Sequence, residues 1–204
     1  LHTVSKPKEL IIYELLQSRM EFTIENKMKY KHVLSGYQGE RKFALNVSER
    51  IQANYIAMYD VLLDYNGALT QIDCFIFLPQ KVLLLEVKNF RGEFMLQTEQ
   101  FISLTTKNYY QNPLHQLRRA ELNVQNIFQG MRVNIAIESF VVFVNPEFTL
   151  FTEKNDRIIL PTQLNSFLGR LNQEKYSLTN METDLVNRLK FYRTGINPME
   201  RIPQ

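Results

Sequence analysis

The chain has 204 residues, of which 45% are hydrophobic and 22% are charged. This composition is typical of a globular domain with a sizeable core and excludes an extensively disordered chain. The net charge of +3 excludes a polycationic tail, so any surface that binds nucleic acid has to be local.

The first 35 residues are predicted to form a helical extension. Pro7 favours a helix start, and the pattern predicts a helix over residues 7–20. A less regular pattern predicts a second helix over 23–34. Gly36 and Gly39 then interrupt the chain, so we predict that a separate core begins at residue 36.

Residues 36–145 have the pattern of an α/β core. Its first predicted element is a helix over residues 39–53. Phe43, Val47 and Ile51 recur at every fourth position on this helix and form one apolar stripe. We expect this stripe to pack against a sheet.

Three strands follow in the predicted core, over residues 56–64, 69–78 and 81–89. Asn66-Gly67 indicates a hairpin turn between the first two strands. The run Val82-Leu83-Leu84-Leu85 is apolar at both parities, which is typical of a central strand covered on both faces.

The remaining elements are predicted from shorter patterns. A hairpin is expected over residues 93–97 and 100–105, and Asn112-Pro113 is expected to start a helix that runs to about Gln129. Further strands are predicted over 138–144 and 157–160, and helices near 162–171 and 179–192. Residues 146–204 are expected to complete the same domain with helices. The predicted fold class is therefore α/β: helix, three-strand antiparallel meander, helix and strand, with extra N- and C-terminal helices.

Two acidic residues are expected to face each other in the second hairpin of the core. If Pro79 and Gln80 form the centre of a type I turn, Asp73 pairs with Glu86, and their Cβ atoms are ~5 Å apart. Facing carboxylates repel each other, and burial adds a cost of desolvation. A divalent cation removes both problems, and Mg²⁺ prefers oxygen ligands of this kind. We therefore predict a site for Mg²⁺ or Mn²⁺, with the backbone carbonyl of Val87 as a further ligand.

Three other side chains are expected near this pair. Alternation along the strands places Lys88 on the face of Glu86, with Gln71 opposite Lys88. A lysine beside the metal can orient the attacking water or stabilise the charge of a pentavalent phosphorus. Glu40 is three residues before Phe43 and shares the core-facing side of its helix, so it is a further candidate ligand. A glutamate favoured by the helix dipole is the equally weighted alternative.

The Glu-Val-Lys triplet is weak evidence by itself. A glutamate and a lysine on the same face of a strand usually form a solvated ion pair. The register that brings Asp73 opposite Glu86 is what favours a catalytic site, and a three-residue turn would abolish that register.

The sequence carries, in this order, Gly39-Glu40, Gln71-Ile72-Asp73, Glu86-Val87-Lys88-Asn89 with Gly92, and Asn112-Pro113 followed by Gln116. This set resembles the nuclease-related domain, a family of the PD-(D/E)XK nuclease superfamily, over roughly residues 36–145. The resemblance implies a restriction-endonuclease-like core. It also implies roles for individual residues: Asp73 and Glu86 as metal ligands, Lys88 as the catalytic lysine, Glu40 as the helix glutamate and Gln116 near the phosphate or the metal waters. Ile72 stands where the superfamily name has proline.

The function expected from these residues is metal-dependent hydrolysis of phosphodiester bonds in nucleic acid, with DNA favoured as the substrate. Arg119, three residues after Gln116, and Gln71 are candidate contacts for the nucleic acid. The alternatives are a nucleic-acid-binding module with little turnover and a protein-interaction domain whose carboxylates are held in ion pairs. The terminal helices are expected to cover the sheet, and a homodimer interface is a second possibility.

Three features bear on the compartment. Cys74 is the single cysteine, so an internal disulfide is impossible, which fits a reducing environment. No apolar run approaches the ~20 residues that span a bilayer, and the N-terminus has no signal-peptide pattern. We therefore expect a cytoplasmic protein with no membrane partner.

Overall fold

A computed structural model describes residues 4–174 and 176–192 of the chain. The helices in this part of the chain are α1 (Lys8–Gln17), α2 (Ile24–Arg50), α3 (Pro113–Gly130), α4 (Leu164–Arg170) and α5 (Asn180–Tyr192). Short 3₁₀ turns, Pro161–Gln163 and Leu171–Gln173, flank α4. The strands are β1 (Ile56–Tyr65), β2 (Ala68–Leu78), β3 (Lys81–Lys88), β4 (Gly92–Leu96), β5 (Phe101–Ser103), β6 (Tyr109–Tyr110), β7 (Ala136–Phe143), β8 (Phe148–Phe151) and β9 (Ile158–Ile159).

The main sheet has five strands in the order β1-β2-β3-β7-β9. β1, β2 and β3 are antiparallel neighbours, whereas β7 is parallel to β3 and β9 is parallel to β7. The run Val82-Leu83-Leu84-Leu85 in β3 is buried on both faces, as predicted for a central strand. The predicted α/β class is confirmed.

Helices cover both faces of the main sheet. Phe43 and Val47 of α2 pack on one face together with α4, so the predicted stripe on this helix is confirmed. α3, α5 and a second sheet pack on the other face. Asn112 caps α3 as predicted, because its side chain accepts a hydrogen bond from the N–H of Leu114.

The second sheet has four strands in the order β6-β5-β4-β8. The predicted hairpin is present as β4 and β5, which are antiparallel. β6 and β8 were not predicted. They have two and four residues, which is too short for an alternating pattern to be recognised, and β8 pairs with the distant β4.

The break predicted at Gly36 and Gly39, between the helices over residues 23–34 and 39–53, is wrong, because α2 is continuous from Ile24 to Arg50. A glycine inside a helix costs only about 1 kcal/mol, which the packing of the helix can offset. Gly39 is buried against the end of β3, where an added Cβ would lie 2.5 Å from the Cβ of Asn89. The side-chain amide of Asn89 donates to the Ser35 carbonyl oxygen at 2.8 Å. Gly39 thus permits close contact between α2 and β3.

The division of the chain into segments 1–35, 36–145 and 146–204 stays a prediction. α2 crosses the first boundary, and the third segment contributes β8 and β9 as well as helices. Residues 1–3 and 193–204 of these segments lie outside the described residues.

The two hairpins of the main sheet have different turns. Asn66 and Gly67 have φ values of 53° and 79°, as expected for the predicted Asn-Gly hairpin turn. The predicted type I turn at Pro79-Gln80 is wrong. Gln80 has a φ of 65°, whereas a type I turn requires a negative value there, and a positive φ is typical of type II. The loop nevertheless has two residues, so the predicted register is retained.

No helix in the described part of the chain has the length and hydrophobicity of a membrane span.

Replacing Gly39 tests the close contact between α2 and β3. Gly39→Ala should lower the free energy of unfolding by roughly 1–3 kcal/mol, because the added methyl group meets the Asn89 side chain. Gly36→Ala is the matched control, since an added Cβ has open space there, and it should raise stability by roughly 0.5–1 kcal/mol. Urea denaturation of both variants measures the difference, and equal effects would contradict the proposed contact.

Candidate active site

The candidate site lies where β2 and β3 separate. The backbone pairing of these strands includes Cys74 with Leu85 and does not continue to the next rung, which Asp73 and Glu86 occupy. There the Asp73 Oδ2 atom accepts a hydrogen bond of 2.7 Å from the N–H of Val87. The Asp73 carboxylate thus takes the N–H of Val87 in place of a backbone carbonyl of β2, and β2 and β3 diverge at this point.

A cavity of about 350 Å³ opens at this divergence. Its lining includes side chains from α2, β2, β3 and α3. The structure brings together the five residues predicted as catalytic, and Gln71, in this lining: Glu40, Gln71, Asp73, Glu86, Lys88 and Gln116.

Lys88 is held by two partners inside the cavity. Its Nζ atom lies 2.5 Å from the Glu86 Oε1 atom and donates to the Gln116 Oε1 atom at 3.1 Å. Glu86 is only 2% exposed. Burial by itself lowers the pKa of Lys88, but the charges of Glu86, Asp73 and Glu40 and the hydrogen bond with Glu86 together raise that pKa above its ordinary value. Lys88 is therefore a cation at neutral pH.

The other carboxyl groups ionise with difficulty. Burial raises the pKa of Glu40 to about 7, and the charges of Asp60 and Glu86 add to this effect. Burial also raises the pKa of Asp73 well above its ordinary value, and Glu86 and Glu40 contribute in the same direction. Lys88 and the N–H of Val87 oppose that shift without cancelling it. The site therefore holds more negative than positive groups and favours binding of a proton or a cation.

Asp60 is a further acidic residue at the site, and it was not predicted from the sequence. It lies in β1 opposite Asp73, between the pairs Tyr59–Cys74 and Val61–Ile72. Its backbone has a φ of 48°, a left-handed conformation that is rare within a strand and that aspartate tolerates better than most residues. Its Oδ1 atom accepts a hydrogen bond of 3.0 Å from the side-chain amide of Gln71. The sequence feature that could have identified Asp60 is its position, as an aspartate in the middle of a largely apolar strand.

The alternation of side chains reverses at this rung. Met58 and Val61 pack against the same hydrophobic cluster although they are three positions apart in β1. Ile72 and Phe75 do the same in β2. Both strands therefore rotate where the acidic residues lie. Unusual backbone conformations of this kind concentrate at functional sites.

The remaining predicted residues have different surroundings. The carbonyl oxygen of Lys88 accepts from the N–H of Val144 on the β7 side of the strand. The polar groups of Val87 therefore point to the β2 side, where its N–H meets Asp73. Arg119 is exposed and does not line the cavity, so its contact with nucleic acid stays a prediction. Five residues that were not predicted as site residues also line the cavity: His32, Ser35, Gly36, Asn89 and Phe90.

The carboxylates are not arranged as a finished metal site. As these side chains stand, no three His, Cys, Asp or Glu residues in the described ranges are grouped so that they could hold a metal ion. One carboxylate oxygen of Glu86 is instead paired with Lys88.

Residues 35–144, more than half of the chain, match the family model described as nuclease-related domain. The chain belongs to the nuclease-related domain family. The predicted membership, within the PD-(D/E)XK superfamily, is thus confirmed. Comparison of the chain with curated proteins and with solved structures found no significant match.

Membership of the nuclease-related domain family indicates a nuclease-related function and nucleic acid as the kind of partner. The family generally uses divalent metals. The homodimer gains no support from the described residues, and the cytoplasmic location stays a prediction.

The raised pKa of Glu40 predicts how stability depends on pH when metal is absent. The unfolded chain releases this proton near pH 4.5, whereas the folded protein retains it to about pH 7. Glu40 therefore contributes stability below pH 4.5, and that contribution is lost as the pH rises to 7. Relative to Glu40→Gln, the wild type should lose up to about 3 kcal/mol over this range.

Denaturation in EDTA at a series of pH values measures this difference. Glu25→Gln, on the first turn of the same helix, is the control, because a hydrogen bond with Lys29 lowers the pKa of Glu25. Parallel profiles for the wild type and Glu40→Gln would show that Glu40 ionises normally.

Proposed function

We propose that this protein is a metal-dependent nuclease that hydrolyses phosphodiester bonds in nucleic acid, with DNA as the preferred substrate. The observation that carries the proposal is a charged lysine that Glu86 and Gln116 hold beside Asp73 in an open cavity. An acidic cavity does not attract a phosphodiester by itself, so the site needs a cation besides Lys88.

The chemistry of the residues present, though not yet their arrangement, fits a divalent cation. Glu40, Asp73 and Glu86 supply carboxylate oxygens, which are the ligands that Mg²⁺ and Mn²⁺ prefer. Burial raises the pKa of Glu40 and of Asp73, and the neighbouring carboxylates add to this effect, so a divalent ion would stabilise the charged form of both groups. The carbonyl oxygen of Val87, directed to the same side as Asp73, is a further candidate ligand. A bound ion would supply a Lewis acid that lowers the pKa of a water molecule and neutralises charge on the phosphate.

Lys88 is the proposed catalytic residue besides the metal ligands. Its ammonium group can orient a water molecule toward phosphorus or stabilise the negative charge that develops on the phosphate oxygens. Gln116 accepts a hydrogen bond from Lys88 and limits the positions that the ammonium group can adopt. If Glu86 bound a cation, this contact would keep Lys88 within the cavity.

Gln71 and Arg119 are the proposed contacts for the nucleic acid outside the reacting group. Gln71 lines the cavity, and its amide donates to Asp60, which fixes the orientation of the amide. Arg119 is on the exposed side of α3 and would act on a more distant phosphate.

Cleavage assays test the proposal directly. Labelled single-stranded, double-stranded and branched DNA, and RNA, are incubated with the protein and Mg²⁺, Mn²⁺ or EDTA. The wild type should cut only when a metal is present. Asp73→Asn retains an acceptor for the N–H of Val87 and Lys88→Ala removes the ammonium group, and each should lower the rate by at least about a hundredfold.

Lys81→Ala is the matched control, and it should cut like the wild type. Lys81 lies at the other end of β3, forms an ion pair of 2.7 Å with Glu174, and has a side chain that is 25% exposed, compared with 23% for Lys88. All four proteins are purified in the same way, so a contaminating nuclease would give the same activity in each. Cutting that survives in Asp73→Asn and Lys88→Ala would refute the catalytic assignment.

The ion pair between Glu86 and Lys88 favours a second candidate function. It neutralises both groups without a metal, as expected for a nuclease fold that binds nucleic acid or protein and turns over little or nothing. In that case Mg²⁺ and Mn²⁺ should not change the melting temperature of the wild type. If the protein is a metal-dependent nuclease, by contrast, the ion binds the folded state and should raise the melting temperature, and Asp73→Asn should abolish the increase.

A further inference from the structure

The wall of the candidate active site continues into an aromatic cluster that reaches solvent. Phe90, two residues after Lys88, lines the cavity. Its ring centroid lies 5.0 Å from that of Phe94, 5.2 Å from that of Phe101 and 5.2 Å from that of Tyr110. Phe94 and Phe101 are buried, so they hold the two outer rings from behind.

Tyr110 is the most exposed member of this cluster. It is 36% exposed, and it contacts Phe90 edge-to-face, with an interplanar angle of 74°. It belongs to β6, which is the open edge of the second sheet and precedes α3, the helix that carries Gln116. The Tyr110 ring is thus packed against the cluster on one side and is partly exposed to solvent, where a ligand can contact it.

The neighbouring Tyr109 has the opposite orientation. It pairs with Ile102, and side chains alternate along a strand, so its ring lies on the other face of the sheet from Tyr110. Tyr109 is 71% exposed, and no contact with the cluster around Phe90 is seen. The two tyrosines therefore differ in position relative to the site although they are adjacent in the chain.

We infer that Phe90 and Tyr110 form a stacking site for an unpaired nucleobase next to the scissile phosphate, so that the substrate is single-stranded or has an unpaired segment at the point of cutting. This inference rests on the proposed nuclease function and specifies its substrate class. Aromatic side chains stack on bases irrespective of sequence, because each base has a π-face. In a duplex both faces of an internal base are already covered by its neighbours.

The distances within the chain fit this assignment. Two residues span at most about 7 Å, so Phe90 lies within about that distance of Lys88 along the backbone. Lys88 and Phe90 line the same cavity, and the ring centroid of Tyr110 lies 5.2 Å from that of Phe90. A nucleotide whose phosphate reaches Lys88 therefore has its own base, or the base of its neighbour, within range of these rings. A tyrosine also suits this position because its hydroxyl group can stay in water while the ring stacks.

Binding measured without turnover tests the stacking site. Fluorescence anisotropy with Ca²⁺ in place of Mg²⁺, which supplies a divalent cation to the carboxylates, compares a labelled single-stranded oligonucleotide with a blunt duplex of the same sequence. Tyr110→Leu should weaken binding of the single strand by roughly tenfold and change binding of the duplex little, because stacking is lost. Tyr110→Phe retains the ring and should bind like the wild type.

Tyr109→Leu is the matched control and should bind both DNAs like the wild type. Phe90→Leu should also weaken binding of the single strand. It provides the test if Tyr110→Leu folds poorly. Circular dichroism melting of each variant verifies folding. A wild type that binds both DNAs equally, as expected if the rings serve a protein partner, would overturn the inference. Equal losses in Tyr109→Leu and Tyr110→Leu would also overturn it.

The cleavage assay separates this inference from the proposed function. A wild type that cuts, with a preference for single strands that Tyr110→Leu loses, supports both. A wild type that cuts while Tyr110→Leu and Phe90→Leu keep its substrate preference retains the nuclease and overturns the stacking site. A wild type that cuts nothing, but binds single strands through Tyr110, refutes the nuclease and supports the stacking site.

Discussion

The candidate site depends on a single exchange of hydrogen bonds, in which the carboxylate of Asp73 takes the N–H of Val87 where the β2–β3 ladder stops. A ladder bond at this point would close the two strands together. The side-chain bond instead keeps them apart and leaves a cavity that Glu86 and Lys88 enter from β3. The same bond holds Asp73 in place, although burial and neighbouring carboxylates disfavour its charge. This hydrogen bond thus shapes the cavity and also opposes the rise in the pKa of Asp73.

The helix above the cavity is positioned by a different constraint. Gly39 permits α2 to approach the end of β3, and the amide of Asn89 donates to the helix at Ser35. Glu40 is the next residue of the helix, so this contact decides where its carboxyl group lies. A glycine and a glutamate that look like a weak dipeptide motif therefore have complementary roles. The glycine sets the distance and the glutamate supplies the oxygen atoms.

The second sheet supports the site from the side of α3. Its inner face contributes Phe94 and Phe101, which pack behind Phe90 at the cavity wall. β4 begins only a few residues after Lys88, so the chain passes directly from the candidate chemistry into this aromatic cluster. Changes in the cluster are therefore transmitted to the wall of the cavity through packed rings rather than through charges.

The sequence by itself determined the features that depend on local pattern and on short-range register. The apolar run of β3, the stripe on α2, the cap at Asn112 and the two-residue turns follow from periodicity and turn chemistry. The pairing that places Asp73 next to Glu86 could also be derived, because a hairpin with a two-residue loop has one register, whatever its turn type. The motif order then sufficed to indicate the nuclease-related domain.

Only the tertiary structure decided how distant parts of the chain meet. The continuity of α2 through two glycines depends on packing that no local propensity reports. β6 and β8 exist because β5 and β4 offer them edges. The left-handed conformation of Asp60 arises at a rung where two strands rotate together. The contact of Lys88 with Gln116 and the raised pKa of Glu40 are likewise set by groups far apart in sequence. Burial and charge act through space, so their effects appear only once the chain has folded.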